Sequence, residues 1–136
     1  MATLLEEGFA IQDDCRFTFL PRAVVLEGQV VCLGSVTLEV SKQLEILTGR
    51  GVAAMVQTRS FSYHAWVRGR YNIFRYDSAH DHRRFPHKHI YDTFGFGKEL
   101  DVTELTSEDD VPTLTEVIRE LRDWYQANAG RLRDLE

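Results

Sequence analysis

The chain has 136 residues, of which 43% are hydrophobic, 27% charged and 11% aromatic, enough for one domain with a buried core and too few for two. Its formal charge of −5 speaks against a generic nucleic-acid binder, no apolar run approaches the roughly 18 residues of a membrane helix, and Glu6 and Glu7 beside Leu4 and Leu5 are not the start of a secretion signal. Cys15 and Cys32 form no C-x-x-C pair and no disulfide framework, so two reduced thiols in a cytoplasmic protein are the expectation.

Two-residue alternation dominates the first two thirds of the chain and predicts strands. Residues 16–20 and 23–26 open the pattern, and Glu27-Gly28 reads as a tight turn into 29–33, a first hairpin. Residues 35–47 alternate Val36, Leu38 and Val40 and then lose phase near Lys42-Gln43. That fits either one long strand with a bulge or a strand running into a helical turn. Residues 52–67 and 70–76 are rich in β-branched and aromatic side chains and meet at Arg68-Gly69-Arg70, where glycine supplies the positive φ of a second hairpin. Residues 77–86 are polar, contain Pro86 and read as a loop, followed by a short strand over 87–91. Phe94-Gly95-Phe96-Gly97 and the acidic run to Asp110 read as surface connection.

A helix starts at Thr113-Leu114-Thr115-Glu116, a capping box in which the threonine hydroxyl accepts the Glu116 amide and the glutamate accepts the Thr113 amide. Leu114, Val117, Ile118, Leu121 and Trp124 or Tyr125 then share one face. Asn128-Ala129-Gly130 is the expected end, although Leu132 and Leu135 keep the phase. The fold class expected is α+β: a curved antiparallel sheet of five or six strands with a C-terminal helix packed on one face, all within a single domain, 1–136.

Charge is unevenly spread. Residues 1–58 carry 4 basic and 7 acidic groups, residues 59–90 carry 7 and 2, and residues 92–136 carry 5 and 12. The basic middle also holds all five histidines and seven of the fifteen aromatic residues. Interleaved arginines and aromatic rings suit a surface that grips phosphates and stacks bases, and equally suit the core face of a sheet with its arginines outside.

Four of the histidines lie in the string from Arg75 to His89: His80, His82, His87 and His89. On a strand His87 and His89 point together and Lys88 away. His64 joins them if its strand is oriented to match, with Arg75 and Asp77 alongside. Three readings stay open. Imidazoles can serve as general base and acid on a phosphodiester, in metal-independent RNA cleavage driven by the 2′-hydroxyl, with a cation meeting the charge on phosphorus oxygens. His87 and His89, with His80, His82 or Asp77, can hold a zinc-like ion. A polar, histidine-rich loop can also simply hydrogen-bond the strand ends. No G-x-S-x-G, phosphate-binding loop, dinucleotide fingerprint or H-E-x-x-H is present, so those enzyme classes are set aside.

The strings Phe61-Ser62-Tyr63-His64-Ala65-Trp66, Phe74-Arg75-Tyr76-Asp77-Ser78-Ala79-His80, Phe85-Pro86-His87-Lys88-His89 and Pro112-Thr113-Leu114-Thr115-Glu116-Val117 occur in this order. Together they resemble the TumE family of small prokaryotic proteins, the toxin components of toxin–antitoxin modules. The resemblance spans roughly residues 58–126; Ser78 stands where the family more often has asparagine. It implies a toxin neutralised by a cognate antitoxin protein, and many toxins of this size act on RNA.

The expectation is therefore a cytoplasmic toxin acting as a metal-independent ribonuclease, without cofactor. His87, His89, His64, His80 and Asp77 are the candidate catalytic residues; Arg75, Lys88, Arg83, Arg84 and Tyr76 are the candidates for gripping phosphate or base. Within this reading His87 and His89 are the acid–base pair and Asp77 orients an imidazole. The alternatives are a non-catalytic protein- or nucleic-acid-binding module, or a metal-binding protein using His80, His82, His87 and His89. The partners expected are the antitoxin and RNA, with no membrane; a homodimer is left open.

Overall fold

The computed structural model describes residues 8–47, 55–78 and 85–134. Among them are eight strands: β1 (Ala10–Asp13), β2 (Arg16–Leu20), β3 (Ala23–Cys32), β4 (Val36–Leu47), β5 (Met55–Val67), β6 (Tyr71–Asp77), β7 (His87–Asp92) and β8 (Lys98–Glu104). One long helix, α1 (Leu114–Arg133), follows them. All neighbouring strands run antiparallel, from β3 to β8 in simple sequential order, with β1 and β2 both pairing the outer side of β3. The architecture is the expected α+β one, a curved antiparallel sheet with a helix on one face.

The sheet has more strands than the five or six expected. β1 and β8 are edge strands with almost no apolar alternation; in β8 only Val102 is half-buried. Short or charged edges are how sheets avoid pairing with other chains, and they leave a weak sequence signal. Glu27-Gly28, read as a turn, is none: β3 runs straight through it, pairing Glu27 with Ser41 and Gly28 with Val40. The first hairpin instead joins β2 to β3 at Pro21-Arg22. Gly28 is needed because the β1–β2 link crosses directly over it. With φ at +144°, a Cβ there would lie 2.6 Å from the Asp14 carbonyl oxygen, so only glycine allows the close backbone approach.

β4 is one long strand whose pairing with β5 shifts register between Gln43 and Leu44, the bulge foreshadowed by the lost phase. The β5–β6 hairpin turns at Arg68 and Gly69, both at positive φ (56° and 73°), as the right-handed strand twist favours. The start of the expected strand, 52–54, and the loop residues 79–84 lie outside the described residues.

One face of the sheet is apolar. Val36, Leu38 and Val40 of β4 pair with Val67, Ala65 and Tyr63 of β5, and Phe74 and Tyr76 of β6 extend the row. All are buried, as are Val117, Ile118, Leu121 and Leu132 of α1 packed over them. The capping box forms as predicted, with Glu116 N donating to Thr113 Oγ1 at 3.2 Å and Thr113 N donating to Glu116 Oε1 at 2.9 Å. The helix does not end at Gly130. It runs on to Arg133 because Leu132 is buried in the core, and tertiary burial outweighs the roughly 1 kcal/mol helix penalty of a glycine. Near this end Gly34, at φ +72°, lies so close to the Tyr125 ring that a Cβ would overlap it. None of the described helices is long and apolar enough to cross a membrane.

Burial also holds several weak acids protonated. Cys32 and Tyr63 are pushed up to about 12 by desolvation, and Cys15 to about 12 by desolvation and then by the neighbouring Asp13. Tyr76 is raised further by burial and by its bond to Glu120. For each, the folded state holds its proton more tightly than the unfolded chain, whose thiols titrate near 9 and tyrosines near 10. Their contribution to stability is thus complete below pH ~9 and is lost as pH rises toward the folded values. The urea midpoint is expected to fall between about pH 8.5 and 10.5, less steeply in Tyr76→Phe; a midpoint flat over that range would contradict it.

Candidate functional site

The face of the sheet away from α1 carries the chemistry. β6 presents Arg75 and Asp77, two residues apart, and β7 presents His87 and His89 in the same way. The β6–β7 register sets Asp77 opposite His87 and Arg75 opposite His89. Directly paired residues in an antiparallel ladder point to the same side, so all four side chains converge. Ser62 and His64 of β5 continue these two rows.

The closest group is Asp77, His87 and His89, whose ligand-type atoms all lie within 4.8 Å of one another. Asp77 Oδ2 is 3.8 Å from His87 Nε2 and 3.6 Å from His89 Nε2. Its other oxygen, Oδ1, accepts a hydrogen bond from Arg75 Nε at 2.9 Å. The imidazoles meet edge to face with centroids 4.8 Å apart, and His89 stacks on Tyr91 at 6.2 Å. Burial grades the group: the side chain of His87 is 0% exposed, Asp77 8%, His89 17% and Arg75 45%. The surface route to the cluster therefore leads past Arg75 and His89.

Both imidazoles have their Nδ1 engaged. His87 Nδ1 is 3.4 Å from the Phe85 carbonyl oxygen, and His89 Nδ1 makes a short contact with Glu99 Oε1. A carbonyl and a carboxylate only accept, so each Nδ1 donates to its partner and each Nε2 turns toward Asp77. Glu99 was not among the expected site residues. Its signal was the strand β8, whose register places Glu99 against Tyr91; once 98–104 is read as a surface connection, that pairing is invisible. The Tyr91 hydroxyl is held protonated by burial first and then by the charge of Glu99, which leaves it a donor at the rim.

The remaining expected residues are placed elsewhere. His64 lies on the same face, opposite Arg75, but its Nε2 donates to Asn72 Oδ1 at 2.7 Å and its ring rests on Trp66 at 5.1 Å. Lys88 and Tyr76 pair with each other on the opposite face, under the helix. Lys88 Nζ donates to Glu120 Oε2 at 2.7 Å and Tyr76 Oη to Glu120 Oε1 at 2.5 Å. Lys88 also lies over the Tyr76 ring, 5.0 Å from its centroid. His80, His82, Arg83 and Arg84 lie outside the described residues.

A family model described as Toxin TumE matches residues 2–126, and the chain belongs to that family. The match covers nearly the whole chain, including residues 2–57, to which the sequence motifs do not extend. A toxin family implies a cognate antitoxin as partner. No curated protein and no solved structure matches the chain.

The two sheet faces make a testable division. Lys88→Met is expected to cost about 1 kcal/mol of stability by stranding Glu120, with coupling to Tyr76→Phe in a double-mutant cycle read by chemical denaturation. An unchanged stability and no coupling would show that Lys88 has no structural role at the helix–sheet interface.

Proposed function

From its membership of the toxin TumE family and the geometry of the Asp77–His87–His89 cluster, we propose that this chain is a toxin that cleaves RNA at that cluster. The observation that carries the reading is the convergence of one carboxylate oxygen and two imidazole nitrogens beside a half-exposed arginine, in the basic segment of an acidic chain.

RNA supplies its own nucleophile. As the 2′-oxygen attacks phosphorus, its proton leaves; as the bond to the 5′-oxygen breaks, that oxygen gains a proton. The products are a 2′,3′-cyclic phosphate and a 5′-hydroxyl. Negative charge collects on the non-bridging oxygens in between and calls for a fixed cation. Arg75 fits that cation: its Nε is held by Asp77 and its side chain reaches solvent. His89 is the member of the cluster that meets substrate, since His87 has no exposed surface. His87 and Asp77 are positioning groups in this reading, fixing the orientation of His89 and Arg75 from below.

His64 and Lys88 take no direct part in this account. His64 is held by Asn72 and Lys88 by Glu120. Neither side chain touches Asp77, His87 or His89 in the contacts they make.

The test is inducible expression with and without the antitoxin, following growth and RNA integrity. His89→Ala and Arg75→Ala are each expected to lower RNA cleavage by about 100-fold or more and to relieve growth arrest, while the melting temperature stays within a few degrees. Lys88→Met should retain cleavage. RNA loss that persists undiminished in folded His89→Ala protein would refute the assignment.

A further inference from the structure

We infer that Asp77, His87 and His89 form a binding site for a single divalent transition-metal ion, of the zinc class. The role of that ion in RNA cleavage rests on the ribonuclease reading above; its binding does not.

The ligand-type atoms of Asp77, His87 and His89 all lie within 4.8 Å of one another, and Asp77 Oδ2 faces the Nε2 atoms of both imidazoles at 3.8 and 3.6 Å. Phe85 O and Glu99 Oε1 engage the Nδ1 atoms, so Nε2 is the ring atom that each histidine turns toward the carboxylate. Asp77 Oδ1 is held by Arg75, which leaves Oδ2 as the oxygen that meets them.

The separations choose the cation. At 3.6 and 3.8 Å, the Asp77 Oδ2 contacts to the imidazole nitrogens are too long for an N–H···O hydrogen bond. Two ligands each about 2.0–2.1 Å from a zinc ion at a tetrahedral angle lie roughly 3.4 Å apart. Closing the two Asp77 distances to that value needs a few tenths of an ångström, and drawing in the widest pair, up to 4.8 Å apart, needs about 1 Å more, within reach of side-chain rotation.

The surroundings agree. A metal-bound histidine normally donates its other ring N–H to a carboxylate or a backbone carbonyl; here one imidazole has each kind of acceptor. The ligand carboxylate is likewise oriented by a guanidinium. Two imidazoles and one carboxylate suit zinc, iron(II), cobalt or manganese better than magnesium or calcium, which prefer all-oxygen sites. Three protein ligands leave a coordination position for water or a phosphate oxygen, the pattern of catalytic zinc sites. That position is reached from the side of His89 and Arg75, the exposed members of the group.

The experiment uses the full chain, freed of metal with a chelator and dialysed. It is titrated with Co²⁺, followed by visible d–d absorption, and with Zn²⁺ by calorimetry. One ion per chain is expected. Asp77→Asn and His89→Gln should each weaken it more than tenfold, and Glu99→Gln by about tenfold, through His89. Circular dichroism and thermal melting establish that each variant is folded. Absence of a cobalt spectrum, or an affinity unchanged in folded His89→Gln, overturns the site.

RNA digestion with and without EDTA separates the two readings. An ion bound without RNA cleavage keeps the site and removes the ribonuclease reading. Undiminished cleavage in EDTA by a chain that takes up no cobalt or zinc overturns the site and keeps the nuclease.

Discussion

Everything at the candidate site depends on one register, Asp77 opposite His87 in the β6–β7 ladder. Side chains along a strand alternate with a period of two, so a slip of one residue would send Asp77 to the other face from His87 and separate Arg75 from His89. The hairpin link between these strands is long and cannot by itself fix the pairing. The opposite face does so: Phe74 and Tyr76 must lie under α1, and the Tyr76–Lys88 pair is drawn there by Glu120. The apolar face therefore sets the chemistry on the polar one, and the two faces are coupled through the pleat.

This coupling accounts for the split fate of neighbouring residues. Lys88 stands between two histidines in sequence, yet its ammonium lies under the helix, over the Tyr76 ring, while the imidazoles gather on the other side. Arg75 and Tyr76 divide in the same way. A basic, aromatic, histidine-rich segment is thus two separate arrangements: a helix-docking network of Tyr76, Lys88 and Glu120, and a polar cluster anchored on Asp77. Composition alone cannot separate them, because their members alternate along the same strands.

Local chemistry was what the sequence made readable. The capping box at Thr113, the positive-φ turn at Arg68-Gly69 and the bulge after Lys42-Gln43 each follow from a few adjacent residues, and so does the common direction of His87 and His89. What stayed hidden depended on partners far along the chain. Gly28 resembles a turn residue because glycine so often is one; it is a strand residue here because the Asp14–Cys15 backbone passes over it. Glu99 and β8 were hidden because a charged edge strand has no apolar stripe. His64 could be placed on the right face, but its engagement with Asn72 arises from the bulge in the β5–β6 pairing at Ala65 and Trp66, which no pattern of residue types announces.

The last turns of α1 extend beyond the stretch that similarity defines. The family model ends at residue 126, whereas the helix continues to Arg133 and buries Leu132. Just inside that match, Tyr125 packs against Phe9, the residue before β1, and fits over Gly34 at the β3–β4 corner. Arg68 reaches the same place from the β5–β6 hairpin, its Nη2 donating to the Leu132 carbonyl. The helix packing therefore reaches beyond the matched stretch, where Leu132 closes the core and its carbonyl fastens the β5–β6 turn to the helix end.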